Sequence, residues 1–370
     1  HNGLNNLGLL SKILVLEKKS QNDDVIEFPK KSKYFILFLR ILKKMRLPQT
    51  LEHKNDNLYK SFKGDFEYFS FARSSFVDLP EHPLVKECDV VNLHWIPNFV
   101  DYPSFFKNLD KPIVWTQHDM SAFQGGFHYK EDNFRNPHLL SINQEQYDCK
   151  LASLANLPTS KMIVVSPSKW LMGEAKSSEI LGNFKHYHIP NGLDNKIFNY
   201  KKQLPLKSKF GLDKEKITVL FISETVKSIR KGFKHILELI EDQEISLRFQ
   251  FVAVGNIKRS QKTNKVLYLG SIHSEQEISE VYSAADIYLL PSIEDNFPNV
   301  MLESLASGTP VVGFNIGGVK DLVINGRNGY LSEELSSMSL KASLLRCARE
   351  LDAFDRKEIA KSIGENYSIN

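Results

Sequence analysis

Asp295 and Glu303 stand eight positions apart in "EDNFPNVMLESLASGTPVV" (294–312), with Glu294 beside the first of them. A helix capped by Asn296, with Pro298 in its first turn where a missing N–H costs nothing, turns the amides of Phe297, Asn299 and Val300 outward. Such a start is a ready phosphate site. Glu303 falls one turn beyond Asn299 on the same face. A carboxylate there would be held off a phosphate and would accept from vicinal hydroxyls such as those of a ribose. An acid is also favoured near a helix N-terminus by the dipole alone, worth about 0.3–1 kcal/mol, so the segment by itself supports either reading.

Other chemistry-bearing residues cluster in short turns. Arg230 and Lys231 in "RKGF" (230–233) supply two cations that would neutralise a diphosphate, or form an ordinary basic loop. "WTQHDM" (115–120) carries His118 and Asp119. A histidine there can shuttle a proton or donate to a substrate, although a lone histidine is more often structural. "NLHW" (92–95) adds His94 and Trp95, and "GGFHY" (125–129) reads as a flexible turn at Gly125 and Gly126. "SPSKW" (166–170), Asn191 in "IPNGLD" (189–194) and the Gly-Gly step in "NIGGVKD" (315–321) complete the set. That step suits close approach of backbone to ligand.

These turns share a position at the ends of apolar, strand-like runs. In the first half the runs are 11–18, 88–95, 111–118 and 161–168; in the second they are 217–223, 249–255, 266–272, 287–292 and 310–314. Amphipathic segments alternate with them, such as 274–286, opened by a capping box from Ser274 to Glu277. Val300, Met301, Leu302, Leu305 and Ala306 continue the helix after the acids until Gly308 and Pro310 end it. The alternation predicts an α/β fold of parallel sheets covered on both faces, whose ligands bind at the carboxyl ends of strands. The polar, basic stretch 199–216 is the expected seam. It separates an N-terminal domain, 1–198, from a C-terminal domain, 199–370, with a cleft between them.

Composition narrows the function classes. The 370 residues are 42% hydrophobic and 25% charged, which suits a soluble globular chain of about two domains. A net charge of +4 gives no basis for nucleic acid as a partner. Cys88, Cys149 and Cys347 are scattered, which predicts reduced thiols in a cytoplasmic protein and no zinc or other metal site. No apolar run is long enough to cross a bilayer. "KKSKYFILFLRILKKMR" (30–46) carries seven basic residues and no acidic one around an apolar, aromatic centre. It fits either the interface of an anionic membrane or a core helix with lysines at its ends. The chain opens at His1 partway through a helix-like segment, which predicts a natural start further upstream.

In order along the chain, "SPSKW", "IPNG.D..F", "RKG", "YSAADIYLLPS", "D.FPNV.LE..A.GTPVV", "GG" and "NGY" resemble family 4 of the retaining glycosyltransferases, and the branch that builds bacterial surface polysaccharides such as capsule and lipopolysaccharide. The resemblance implies the GT-B architecture, two Rossmann-like domains facing across a cleft. It also implies direct transfer of a sugar from a UDP- or GDP-linked donor to a glycan or lipid-linked acceptor, with retention and without metal or other cofactor. By the same resemblance Asp295 and His118 lie near the donor sugar, with Asp119 beside them, and Glu303 binds the ribose. Arg230, Lys231 and the segment Phe297, Pro298, Asn299 and Val300 would hold the diphosphate, leaving His94, Trp95, Gly125, Gly126 and Asn191 to the acceptor or the cleft. The sequence departs from the family where Asp295 replaces the usual glutamate, and no additional arginine is evident in "SETVKSIR" (223–230). A final helix would cross back to the first domain. Two other readings remain: an epimerase of nucleotide sugars with the same architecture, and a binding subunit that has lost activity. No GxGxxG follows a strand, which disfavours a nicotinamide dehydrogenase. The basic segment 30–46 favours a lipid-linked acceptor at the inner face of a membrane.

Overall fold

A computed structural model describes residues 1–28, 50–222, 229–256 and 262–369. The basic segment 30–46 and most of "SETVKSIR" lie outside the described residues. The chain divides into two units, His1–Val165 with Glu174–Tyr187, and Ser166–Gly173 with His188–Asn370.

In the first unit a four-stranded sheet is ordered Val91–Leu93, Ile113–Thr116, Met162–Ser166, Lys185–His188, and a short parallel pair joins Ile13–Val15 to Val25–Glu27. Ile113 and Trp115 are buried while Val114 and Thr116 are partly exposed. That is the period-two alternation of a strand with one inward face. The strand's carboxyl end therefore runs directly into "QHDM".

The second unit is built on six parallel strands ordered Gly329–Ser332, Val311–Phe314, Ile287–Leu290, Ile217–Ile222, Phe249–Val254, Val266–Gly270. Numbered in chain order and read from the Val266–Gly270 edge, this is 3-2-1-4-5-6, the doubly wound order. Ile287–Leu290 and Val311–Phe314 are buried at every position, as strands covered on both faces must be. The covering helices follow from spacing: Phe233–Glu241 turns Phe233, Ile236, Leu239 and Ile240 inward, a repeat of three and four residues. Glu275–Ala284 begins where Ser274 accepts from the Glu277 amide at 3.3 Å.

All nine expected strands form, and Val25–Glu27, Lys185–His188 and Gly329–Ser332 are additions. The polar stretch 199–216 does not lie between the units. It belongs to the second, where Gln203–Lys209 is helical. The physical reason is Asp286, at the mouth of the Ile287–Leu290 strand. Its carboxylate accepts from Lys207 Nζ at 2.7 Å, from Gln203 Nε2 at 2.6 Å and from the Thr218 amide at 2.7 Å. The last helix, Arg356–Tyr367, is likewise tied to the second unit: half-buried Arg356 donates to the carbonyls of Gly308 and Ser283 at 2.9 and 3.0 Å.

Lys207 is 5% exposed, so Asp286→Ala strands a buried ammonium. The expected cost is about 3–5 kcal/mol. Glu365→Ala, which breaks the exposed Lys361–Glu365 pair at 3.9 Å, should cost less than about 0.5 kcal/mol. Urea midpoints of the two variants measure the difference.

Candidate functional site

In a doubly wound sheet the first and fourth strands diverge at their carboxyl ends, and ligands bind in the crevice this opens. Here those strands are Ile217–Ile222 and Ile287–Leu290, and both loops that follow carry charged residues. After the first strand, Ile229–Lys231 forms a 3-10 turn. After the second comes 291–298. Lys231 Nζ lies 2.7 Å from Asp295 Oδ2, and an Arg230 guanidinium nitrogen 3.4 Å from the same oxygen. The other carboxylate oxygen accepts the Asn296 amide at 3.1 Å. Burial works to raise the Asp295 carboxyl, but Lys231 first and Arg230 second outweigh it and hold it below the usual carboxylate range.

The two cations are not equivalent. The Arg230 side chain is 7% exposed and donates to the Glu294 carbonyl at 3.0 Å, so it braces the loop from within. The Lys231 side chain is 37% exposed and able to turn to a ligand. The expected pair of diphosphate cations thus resolves into one internal brace and one group facing solvent. The Gly-Gly step also has a different role from the one expected. A Cβ on Gly317 would stand 1.9 Å from the Asp295 carbonyl oxygen, and one on Gly318 1.7 Å from that of Asn296. The close approach is to the acidic loop itself. Gly232, at φ +65°, makes the same approach to Pro291 from the other side, at 1.8 Å.

The helix after the acids spans Asn299–Ala306, with Pro298 at the N-cap. Asn296 is not the cap. Its Oδ1 accepts from Ser168 Oγ at 2.6 Å, which draws the side chain away from the helix, and extended Pro298 takes the boundary position. Phe297 and Pro298 are buried, with the Phe297 ring stacked on Tyr367 at 6.2 Å. Asn299 is exposed and Val300 half-buried. Their amides open the helix, where no preceding turn supplies carbonyls. Asn191 Nδ2 donates to Asn299 Oδ1 at 2.9 Å, which makes it a fastener of this helix start. Glu303 accepts from the Tyr282 hydroxyl at 2.9 Å, and burial, its main perturbation, pushes its carboxyl up. Sequence reasoning missed Ser168 and Tyr282 as partners of these residues. "SPSKW" and "YSAAD" were the available signals, but neither shows which side chain it meets.

In the first unit His94 Nδ1 lies 3.0 Å from His118 Nε2. Burial is the main cause lowering both rings below the ordinary histidine value, and His118 lowers His94 further. Asp119 is 7% exposed and points inward. It accepts from His128 Nδ1 at 2.8 Å, from Trp95 Nε1 at 3.2 Å and from the Ser121 amide at 2.8 Å. Burial opposes its charge, yet the His128 bond and charge and the Ser121 bonds hold the carboxyl at about 2. Asp119 is therefore an anchor for the loop that presents His118. His128 also meets Ser70 Oγ at 3.1 Å, a pairing across 58 positions that no local pattern reveals. The turn at Gly125 and Gly126 is locked. Asn143 Oδ1 accepts the Gly126 amide at 2.7 Å, and buried Lys150 donates to the carbonyls of Ser121 and Gly125 at 2.6 Å. A Cβ on Gly126 would enter the Phe69 ring at 2.1 Å.

Residues 216–350 match the family described as Glycosyl transferases group 1. The lipopolysaccharide 1,2-N-acetylglucosaminetransferase of Salmonella typhimurium is 24% identical over 226 residues, covering 56% of this chain and 58% of that protein. The chain spans less than two thirds of the length of the curated relatives it matches. Among solved structures, a glycosyltransferase from Rickettsia africae superposes with a TM-score of 0.62 at 18% identity, over 99% of this chain and 88% of that one. Anabaena HepE, in complex with UDP and glucose, gives 0.56 at 17%, over 77% and 76%.

Asp119→Asn should lower stability at pH 7 by about 2 kcal/mol, the worth of a carboxyl held at about 2 against its ordinary 3.8. Because the folded value is depressed, this contribution is present above about pH 4 and lost as pH falls toward 2. The gap between wild type and variant, read from urea midpoints, should narrow below about pH 4.

Proposed function

We propose, for a family 4-like glycosyltransferase chain with the GT-B fold, that it transfers a sugar from a nucleotide sugar to an acceptor hydroxyl in the synthesis of a surface polysaccharide or related glycan. The observation that carries this reading is the convergence at the switch point of the six-stranded sheet. Lys231, the opening amides of the Asn299–Ala306 helix and Glu303 lie on the two loops and the helix that follow its first and fourth strands.

The chemistry follows from those groups. The bond from the anomeric carbon to the diphosphate breaks and its electron pair leaves with phosphate oxygen. The acceptor oxygen bonds to the same carbon, and its proton passes to the departing phosphate. Negative charge therefore grows on the diphosphate, where a fixed cation and helix amides stabilise the transition state. We assign Lys231 and the amides of Asn299 and Val300 to that charge, without a metal, and Glu303 to the ribose hydroxyls. We assign His118, in the neutral form favoured by its lowered pKa, to the donor sugar. Retention of configuration and a hexose as the transferred sugar extend the same reading. HepE, a structural relative, is described with UDP and with UDP-glucose, which favours a uridine donor. Names among the relatives favour transfer over epimerisation. The engagement of both Asp295 oxygens favours, as a second reading, a chain that binds the donor and leaves it intact. Formation of free nucleoside diphosphate only with acceptor present would separate the two.

Calorimetric titration with UDP and with GDP tests the site. One nucleotide should bind, and Glu303→Ala should weaken it by roughly tenfold to a hundredfold, the equivalent of a charge-assisted hydrogen bond. Lys231→Ala should weaken it at least as much, because it removes a cation and uncovers Asp295. Binding of neither nucleotide, or binding indifferent to both changes, would overturn the reading. The basic segment 30–46, for which we propose contact with an anionic membrane, has its own test. The chain should co-sediment with vesicles containing anionic lipid and lose this when the seven basic residues are neutralised. Identical behaviour of the two proteins would remove the membrane.

A further inference from the structure

Among the described residues no cation pairs with Glu303, in contrast to Asp295. Its only described hydrogen bond is from the Tyr282 hydroxyl to Oε2, at 2.9 Å. Oε1 has no hydrogen-bond partner among the described residues. A glutamate has three side-chain torsions, and a carboxylate that must accept from two adjacent hydroxyls loses affinity if it samples several of them.

Tyr282 is built to prevent that. It is fully buried near the end of Glu275–Ala284, with its ring set edge-on to Tyr288 at 5.5 Å and 68°. Its carbonyl accepts from Thr309 Oγ1 at 2.7 Å, so the backbone that carries the ring is tied to the turn that closes the Asn299–Ala306 helix. A phenol in this position remains a donor, since burial first and Glu303 next push its ionisation far up. Burial pushes the Glu303 carboxyl toward its neutral form, and the Tyr282 bond opposes this.

We propose that Tyr282 is a positioning residue for nucleotide recognition: its hydroxyl occupies Glu303 Oε2 and so presents Oε1 to the ribose diol. The inference rests on the reading of Glu303 as the ribose-binding residue. It assigns the preference for a ribonucleotide to a pair of side chains, and gives the buried tyrosine of "YSAAD" a role beyond packing.

The test compares UDP with 2′,3′-dideoxy-UDP by calorimetry, or the guanosine pair if GDP is the nucleotide bound, on the full chain as wild type, Glu303→Ala and Tyr282→Phe. Wild type should prefer the ribonucleotide by about tenfold or more. Glu303→Ala should abolish the preference. Tyr282→Phe, which removes one oxygen and keeps the ring, should reduce it about fivefold while binding the dideoxy nucleotide as wild type does. That unchanged binding also reports that the fold and the phosphate contacts are intact. A preference lost in Glu303→Ala but kept in Tyr282→Phe would overturn the role of Tyr282 alone. Equal weakening of both nucleotides in Tyr282→Phe would mean a packing role and would overturn it as well. A preference that survives Glu303→Ala would overturn the ribose reading and this inference together.

Discussion

A buried carboxylate faced by two cations, Asp295 with Lys231 and Arg230, is the interaction on which the second unit's site depends. The 3-10 turn Ile229–Lys231 and the loop 291–298 each follow a strand of the switch point and face one another. The ion cluster connects them. Burying Asp295 alone would be prohibitive, and burying Arg230 alone equally so; paired, they also gain a bond each, Arg230 to the Glu294 carbonyl and Asp295 from the Asn296 amide. Such clusters contribute modestly to net stability, yet removing one member is costly. The loops are thereby confined to one arrangement, and the three glycines at 232, 317 and 318 allow the neighbouring backbone to close against it.

This constraint explains which parts of the site the sequence made legible. The acidic loop, the helix after it and Gly308 at that helix's end, φ +80°, follow from local rules, since strand punctuation, proline and glycine act over a few residues. The same rules located nine strands, because buried strands are runs of β-branched and aromatic residues. They missed Val25–Glu27, which is only three residues long, Lys185–His188, whose residues are largely polar, and Gly329–Ser332, which opens on glycine. The helix cap went to Pro298 because Asn296 is engaged by Ser168, 128 positions away in the chain. No local rule contains such a partner. The basic pair "RK" likewise looks like two equivalent cations until burial separates Arg230 from Lys231.

In the first unit the limits have the same origin. "QHDM" marks a strand end that presents two titratable side chains, but adjacent residues at a strand end point in opposite directions. One must go inward. Asp119 does, and it becomes the acceptor for His128 and Trp95, leaving His118 outward beside His94. The two histidines share a single hydrogen bond between ring nitrogens, which requires one of them to be the acceptor and so at least one ring nitrogen to be unprotonated. Their lowered pKa values and their geometry therefore agree. The glycines of "GGFHY" were legible as a turn, whereas the rigidity of that turn comes from Lys150 and Asn143 on a later helix.

The switch-point cluster also bears on how a diphosphate would be received. In the cluster described, Lys231 is already paired, so an arriving phosphate has to compete with Asp295 for it. Of the three charges, two are positive and one negative, so a turn of Lys231 toward an anion would leave Asp295 paired with Arg230. Asp295 would then be the partner to which Lys231 returns once the anion left. A lysine held at 2.7 Å by a fixed carboxylate loses less conformational freedom on binding than one free in solvent, and its charge needs little reorganisation as negative charge grows on a leaving phosphate. Asp295, with a side chain one methylene shorter than glutamate, stays on the two cations, whereas Glu303 accepts from the Tyr282 hydroxyl.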